Sequence, residues 1–201
     1  GLDIGVGANV IYPIIGSQVY GWSFVGSDID KTSVKACNTL VRKNKALAGL
    51  VTARHQLEKN CIFNGIVQKD ETFAFTLCNP PFHKSAAQAH KGTSLKTANL
   101  TRNKLKRSGK GATHKHGTSL NFAGTSNELW CDGGELAFIQ SMVKESVQIK
   151  DQVGWFTCLV SKSAHLKPIA KSIEYYGASQ YKKVDMGQGQ KQSRFIAWTF
   201  R

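Results

Sequence analysis

Leu2-Asp3-Ile4-Gly5-Val6-Gly7-Ala8-Asn9 opens the chain as a short apolar strand that runs into a glycine turn. Gly5 and Gly7 can take positive φ and let the main chain come close to a ligand. From Asn9 to Tyr20 the apolar residues Val10, Ile11, Ile14, Ile15 and Val19 keep a helical spacing, and Pro13 is tolerated near a helix start. A second strand, Trp22 to Asp28, ends on a carboxylate roughly twenty residues after the turn, the spacing at which such an acid meets a cofactor ribose. Strand, glycine turn, helix, strand and acid predict a βαβ unit in a parallel α/β sheet with right-handed crossovers. A nicotinamide dinucleotide is one candidate for the turn, but Val10 stands where the third glycine of G-x-G-x-x-G belongs.

A second stretch names a chemistry. Phe73-Ala74-Phe75-Thr76-Leu77-Cys78 reads as a strand that stops at Asn79-Pro80-Pro81-Phe82. Proline has a fixed φ and no N–H, so two in a row end the strand and keep the Pro80 carbonyl out of any ladder. The Asn79 amide oxygen and the Pro80 carbonyl can then accept from the two hydrogens of a planar amine, with the Phe82 ring against its face. A Pro-Pro pair that merely ends a strand is the plainer reading. The order of glycine turn, acid and Asn-Pro-Pro-Phe strand resembles the class I S-adenosylmethionine-dependent methyltransferases, and the last motif resembles those that methylate an amino group. The resemblance implies a seven-stranded Rossmann-like sheet, mostly parallel with an antiparallel last strand, and helices on both faces. A sulfonium donor carries no pyrophosphate, so its site does not require the third glycine.

The remaining elements fit that fold. Thr32 or Ser33 can cap a helix through about Lys45, with Val34, Cys37, Leu40 and Val41 as its apolar stripe. Val51 to His55 is a third strand and Val153 to Val160 a fifth. Asp132 is the expected cap of a helix carrying Leu136, Phe138, Ile139, Met142, Val143 and Val147. A further helix is expected over Ser163 to Tyr175, and Tyr181 to Met186 with Arg194 to Phe200 read as an antiparallel hairpin.

The chain has 201 residues and is 41% hydrophobic, enough for one sizeable core, so 1–201 is expected to be a single catalytic domain. Its formal net charge of +14 points to a polyanionic partner, nucleic acid first. No stretch has the length of a membrane span or the pattern of a secretion signal, so a cytoplasmic protein is expected. The five cysteines form an odd set with no C-x-x-C pair, which indicates neither a disulfide framework nor a zinc site. His114 and His116 lie in a Lys/Gly-rich stretch, and no metal is expected. Residues 83–134 have a surplus of seven positive charges, half of the total, and read as a basic, mobile insertion. Placed directly after the amine clamp, Lys84, Lys104, Lys106, Arg107 and Lys110 are candidates to hold an RNA backbone. A solvated insertion is the alternative.

Taken together, Leu2 to Pro13, Leu77 to His83, Gly133-Gly134-Glu135-Leu136, Gln188-Gly189, Arg194 and Ala197-Trp198 resemble the bacterial ribosomal RNA large subunit methyltransferase F family and its eukaryotic methyltransferase-like relatives. The resemblance covers Gly1 to Phe200. It implies methylation of the exocyclic N6 amine of one adenine in 23S ribosomal RNA, on naked RNA or a large-subunit assembly intermediate, by a monomer. The catalytic set is then Asn79, Pro80, Pro81 and Phe82. Cofactor contacts fall to Asp3, Gly5, Gly7, Ala8, Asp28, Ile29, Asn60 and Asn79, with the main chain around Asp3, Gly5, Gly7 and Ala8 along the methionine part, Asp28 on both ribose hydroxyls and Ile29 with the Asn60 segment at the adenine. The family carries an additional basic N-terminal segment; only Gly1, Leu2 and Ile4 precede the turn here as strand residues, so a segment ahead of Gly1 is expected. Rival readings are methylation of a protein glutamine amide, methylation of DNA adenine, and an inactive RNA-binding module.

Overall fold

A computed structural model describes residues 1–82, 131–188 and 191–201. The strands are β1 (Leu2–Ile4), β2 (Phe24–Asp28), β3 (Val51–His55), β4 (Phe73–Cys78), β5 (Val153–Leu159), β6 (Gln180–Gln188) and β7 (Lys191–Thr199). They form one seven-stranded sheet in the order β3-β2-β1-β4-β5-β7-β6. Pairings from β3 through to β5 are parallel, and β7 runs against both β5 and β6. This is the mostly parallel seven-stranded sheet with an antiparallel last strand that the resemblance implies.

The helices are α1 (Ile11–Tyr20), α2 (Lys31–Lys43), α3 (Gly134–Ser146) and α4 (Leu166–Tyr175). Period-two alternation along the strands divides the core between the two faces. Leu2 and Ile4 join Phe63, Ile139, Met142, Phe156, Ile169 and Trp198 on the face covered by α3 and α4. Val6, Val10, Phe24, Val34, Cys37 and Val51 pack on the face of α1 and α2. Trp198 is fully buried, stacks on Phe156 and donates Nε1–H to the Ser146 Oγ at 3.0 Å, so the indole's one polar atom is satisfied.

Several boundaries differ from expectation for local reasons. The first helix begins at Ile11, because Val10 takes a left-handed φ of 53° that no helix continues. Ile11, Ile15 and Val19 face outward, whereas Pro13, Gly16 and Ser17 face the sheet. A Cβ on Gly16 would stand 2.5 Å from the Phe24 ring, so close approach of α1 to β2 demands small residues on the inner side. Trp22 falls outside β2 and stacks on Tyr20 instead. The cap of α2 is Asp30, which accepts from Thr32 N at 3.0 Å and Ser33 N at 3.3 Å; Thr32 and Ser33 are the recipients, not the cap. At α3 the cap position belongs to Gly133 at φ 77°, not to Asp132. The stretch from Ser163 starts as a 3-10 turn, Ser163–His165, before α4 proper.

Candidate active site

The glycine turn is built by the end of β2. Gly5 N and Val6 N both donate to the Ser27 carbonyl at 2.9 Å, and Gly7 N donates to the Asp28 Oδ2 at 3.0 Å. Gly5 and Gly7 have φ of 74° and 62°, the region glycine occupies without penalty. A Cβ at Gly5 would meet nothing within 4 Å, so the turn leaves open space where a ligand's main-chain approach is expected. Gly26 has the opposite reason to be glycine: its Cβ would lie 2.8 Å from the Val6 side chain. Val10, β-branched and left-handed, stores backbone strain of order 1–3 kcal/mol at this turn.

Two carboxylates share the face of the sheet under the turn. Asp28 is 4% exposed and each oxygen already serves the backbone, Oδ2 from Gly7 and Oδ1 from Asp30 N at 2.8 Å. Burial raises its pKa, and those two backbone bonds oppose the rise. A carboxylate oxygen has room for a second donor, so a ribose contact is compatible with the turn-building bonds. Asp3 is 1% exposed and neither of its oxygens has a hydrogen-bond partner. Burial, with Asp28 next in effect, pushes its carboxyl up to about 7. Such a group is costly to leave unsatisfied and calls for a partner. The alternation Leu2-Asp3-Ile4 signals that Asp3 points away from the α3 and α4 core. Only the main chain around it entered the cofactor expectation.

Ile29 follows β2 exposed, its carbonyl 3.2 Å from the His55 Nε2. Asn60 is exposed in the segment after β3. That segment is fixed at both ends. Gln56 N donates to the Asp28 carbonyl at 2.8 Å, and Ile62, Phe63 and Asn64 donate their N–H groups to the Glu145 carboxylate at 2.7, 2.9 and 2.6 Å.

Strand β4 brings Asn79 and Pro80, the expected amine clamp, to the level of the turn. Asp3 pairs with Leu77 and Ile4 with Cys78, so Asn79 comes next at the level of Gly5. Asn79 is exposed, Pro80 is buried, Pro81 is half-buried and Phe82 is 37% exposed. No described residue donates to the Asn79 amide oxygen or the Pro80 carbonyl. Beneath them β4 is pinned to β5 by Thr157 N to Thr76 Oγ1 at 3.0 Å and Thr157 Oγ1 to the Thr76 carbonyl at 2.6 Å. Gly-Gly-Glu, quoted from the sequence only as a mark of resemblance, also has a physical task. Glu135 accepts from Ser161 N and from His165 Nδ1, both at 2.6 Å, and so shapes the loop that leaves β5, the strand paired with β4. Its partners lie 26 and 30 residues away, which no local pattern announces. Lys84, Lys104, Lys106, Arg107 and Lys110 lie outside the described residues, as do His114 and His116. Among the described residues no three metal-binding side chains cluster, and no helix is long and apolar enough to cross a membrane.

Comparison with known proteins sets this geometry in a family. A family model for RNA methyltransferases matches residues 1–201. The chain is 62% identical over 202 residues to the ribosomal RNA large subunit methyltransferase F of Pseudoalteromonas atlantica, covering all of this chain and 61% of that protein. It is 49% identical over 199 residues to the protein of the same name from Colwellia psychrerythraea, covering 99% of this chain and 64% of that one. It thus spans about three fifths of the length of these relatives. Among solved structures, the human Mettl16 catalytic domain in complex with a MAT2A 3'UTR hairpin superposes with a TM-score of 0.74 at 25% identity, over all of this chain and 64% of that one. The N-terminal domain of human METTL16 in complex with S-adenosylhomocysteine has a TM-score of 0.70 at 22% identity, over all of this chain and 61% of that one, a likeness of fold.

Proposed function

The chain belongs to the RNA methyltransferase family whose model matches it from end to end, and on that premise we propose that it carries the catalytic centre of a cytoplasmic, S-adenosylmethionine-dependent enzyme that methylates the N6 amine of one adenine in 23S ribosomal RNA. The observation that carries this reading is the register of β1 on β4, which sets Asn79 and its following proline carbonyl at the level of the glycine turn. The residues present suit the donor: Gly5 leaves open space at the turn, and Asp3 offers an unsatisfied buried carboxyl to a cation. Asp3, Gly5, Gly7, Ala8, Asp28, Ile29 and Asn60 would hold it, and when bound it supplies an activated methyl group.

The chain's own contribution is position and electrostatics. An adenine amine is a weak nucleophile because its lone pair is delocalised into the ring. The Asn79 amide oxygen and the Pro80 carbonyl, holding its two hydrogens, would turn that pair toward the methyl group. Phe82 would stack on the base after it leaves its helix, as bases must to enter such a pocket. A shell of basic side chains in 83–134 would hold the backbone of the RNA, which is naked 23S RNA or a large-subunit intermediate, and the enzyme would act as a monomer without metal.

The test offers labelled S-adenosylmethionine with 23S RNA, a DNA duplex and a release-factor protein in parallel. Label in RNA adenine alone is the expected outcome. Label in protein would favour glutamine methylation, label in DNA the DNA reading, and no label anywhere a binding module.

A further inference from the structure

Residues 31–57 hold Lys31, Lys35, Arg42, Lys43, Lys45 and Arg54 and not one acid. Arg54 is taken up by Glu71. The other five are exposed, and among the described residues none of them forms an ion pair. Asp30, at the head of α2, turns its oxygens to Thr32 and Ser33. Helical spacing lines three of the cations up: at 3.6 residues per turn Lys31, Lys35 and Arg42 fall within about 40° of one another, on a row about 16 Å long. The buried residues of α2, Ser33, Val34, Cys37 and Val41, lie away from that row. Like charges four apart, such as Lys31 and Lys35, destabilise a helix, and no packing in the fold asks for them. The row begins three residues past Asp28, at the carboxyl edge of the sheet. Its strand β2 stands two places from β4, about 10 Å from the strand that ends at Asn79.

We propose that this face of α2 docks the phosphate backbone of double-stranded RNA next to the target adenine. Lys31, Lys35 and Arg42 hold phosphates, fix the orientation of the substrate and read no sequence. The proposal rests on the RNA reading above and adds to it an anchor separate from residues 83–134. The surroundings of the row select a duplex over a single strand. Sites for single strands pair cations with aromatic platforms on which bases stack. Residues 25–62 contain no Phe, Tyr or Trp. Lys35 stands between two shallow grooves, of about 830 and 620 Å³, and no aromatic residue lines either. A straight, rigid row of cations without stacking partners fits an A-form helix, which is recognised through its shape and its phosphates.

Fluorescence anisotropy of the full chain tests this with an RNA duplex of about 20 base pairs and arbitrary sequence, and with polyuridine of equal length, from 50 to 200 mM salt. The variant carrying Lys31→Gln, Lys35→Gln and Arg42→Gln should bind the duplex at least about tenfold more weakly at 50 mM salt. Its salt slope should be shallower by about three units, one for each lost phosphate contact. A control carrying Lys144→Gln, Lys150→Gln and Lys171→Gln removes the same charge from exposed positions on the side of α3 and α4, and its slope should change by less than about one unit. All six side chains are exposed, so both variants should keep the melting temperature of the unaltered chain. An unchanged slope in the α2 variant, equal losses in the two variants, or an equal loss on polyuridine overturns the proposal and leaves the RNA reading standing. So does an unaltered chain that binds 23S RNA and ignores the duplex. No binding of duplex, polyuridine or 23S RNA by the unaltered chain overturns both.

Discussion

Two groups of carboxylates in this molecule have opposite fates. On α3, Glu135 and Glu145 are saturated, the first by Ser161 and His165, the second by three consecutive backbone N–H groups. At the carboxyl ends of β1 and β4, Asp3 has no hydrogen-bond partner, and no described residue bonds the Asn79 amide oxygen or the Pro80 carbonyl. The saturated group ties distant chain segments together and is spent on folding. In the unsaturated group, the buried Asp3 carboxyl costs stability, a cost a fold can retain at a functional site, whereas the exposed Asn79 amide costs none.

The largest effect that can break this contrast concerns Asp3 and pH. Burial raises its carboxyl to about 7, so between about pH 4 and pH 7 the folded state keeps a proton that the unfolded chain has lost. Its contribution to stability is full below about pH 4 and is lost as pH rises through 7, at roughly 1.4 kcal/mol per pH unit. Asp28, also raised by burial, adds to the same slope. Urea unfolding of Asp3→Asn against the unaltered chain at pH 5 and pH 8 should show the variant gaining relative stability at the higher pH. Equal curves would mean that the carboxyl is not isolated after all.

Next in size is Asn79→Ala. The side chain is exposed and bonds no described residue, so melting temperature should hold. Loss of one preorganised acceptor should cost about 2.7–4 kcal/mol of barrier, a hundred- to a thousand-fold in single-turnover methylation. Glu145→Ala should do the reverse. Removing the acceptor of three backbone N–H groups should cost about 2–3 kcal/mol, seen as a fall in Tm of about 5–10 °C, with no change in the pH slope set by Asp3. The smallest effect is Trp198→Phe, which keeps the ring stack and loses the bond to Ser146. About 1 kcal/mol, or a Tm shift of about 2–4 °C, should register in scanning calorimetry.

Much of the fold was legible because its signals are local. Leu2 to Gly7, the Asp28 strand end and the Pro-Pro stop each carry their own stereochemistry, and the terminal hairpin shows its polar turn. The features that were not legible depend on distance or on conformation. Val10 is β-branched, and nothing in its type foretells a left-handed φ. Gly16 sits on the inner face of α1 because the Phe24 ring leaves no room for a Cβ there, and of the counted apolar residues Ile11, Ile15 and Val19 lie on the outer face. Of the expected site, the register of β1 on β4 puts the turn and the end of β4 at one level of the sheet, while the side chain of Asp3 went unread because an isolated acid in a strand carries no mark of its missing partner.

The grip on an exocyclic amine is tested most directly by the product itself. After reaction with 23S RNA and S-adenosylmethionine, the RNA is digested to nucleosides and resolved by mass spectrometry against authentic methylated standards. N6-methyladenosine as the sole methylated adenosine formed, absent with Asn79→Ala, is the expected result. Methyl groups found on a ring nitrogen or on ribose, or N6-methyladenosine formed at the same rate by the variant, would contradict it.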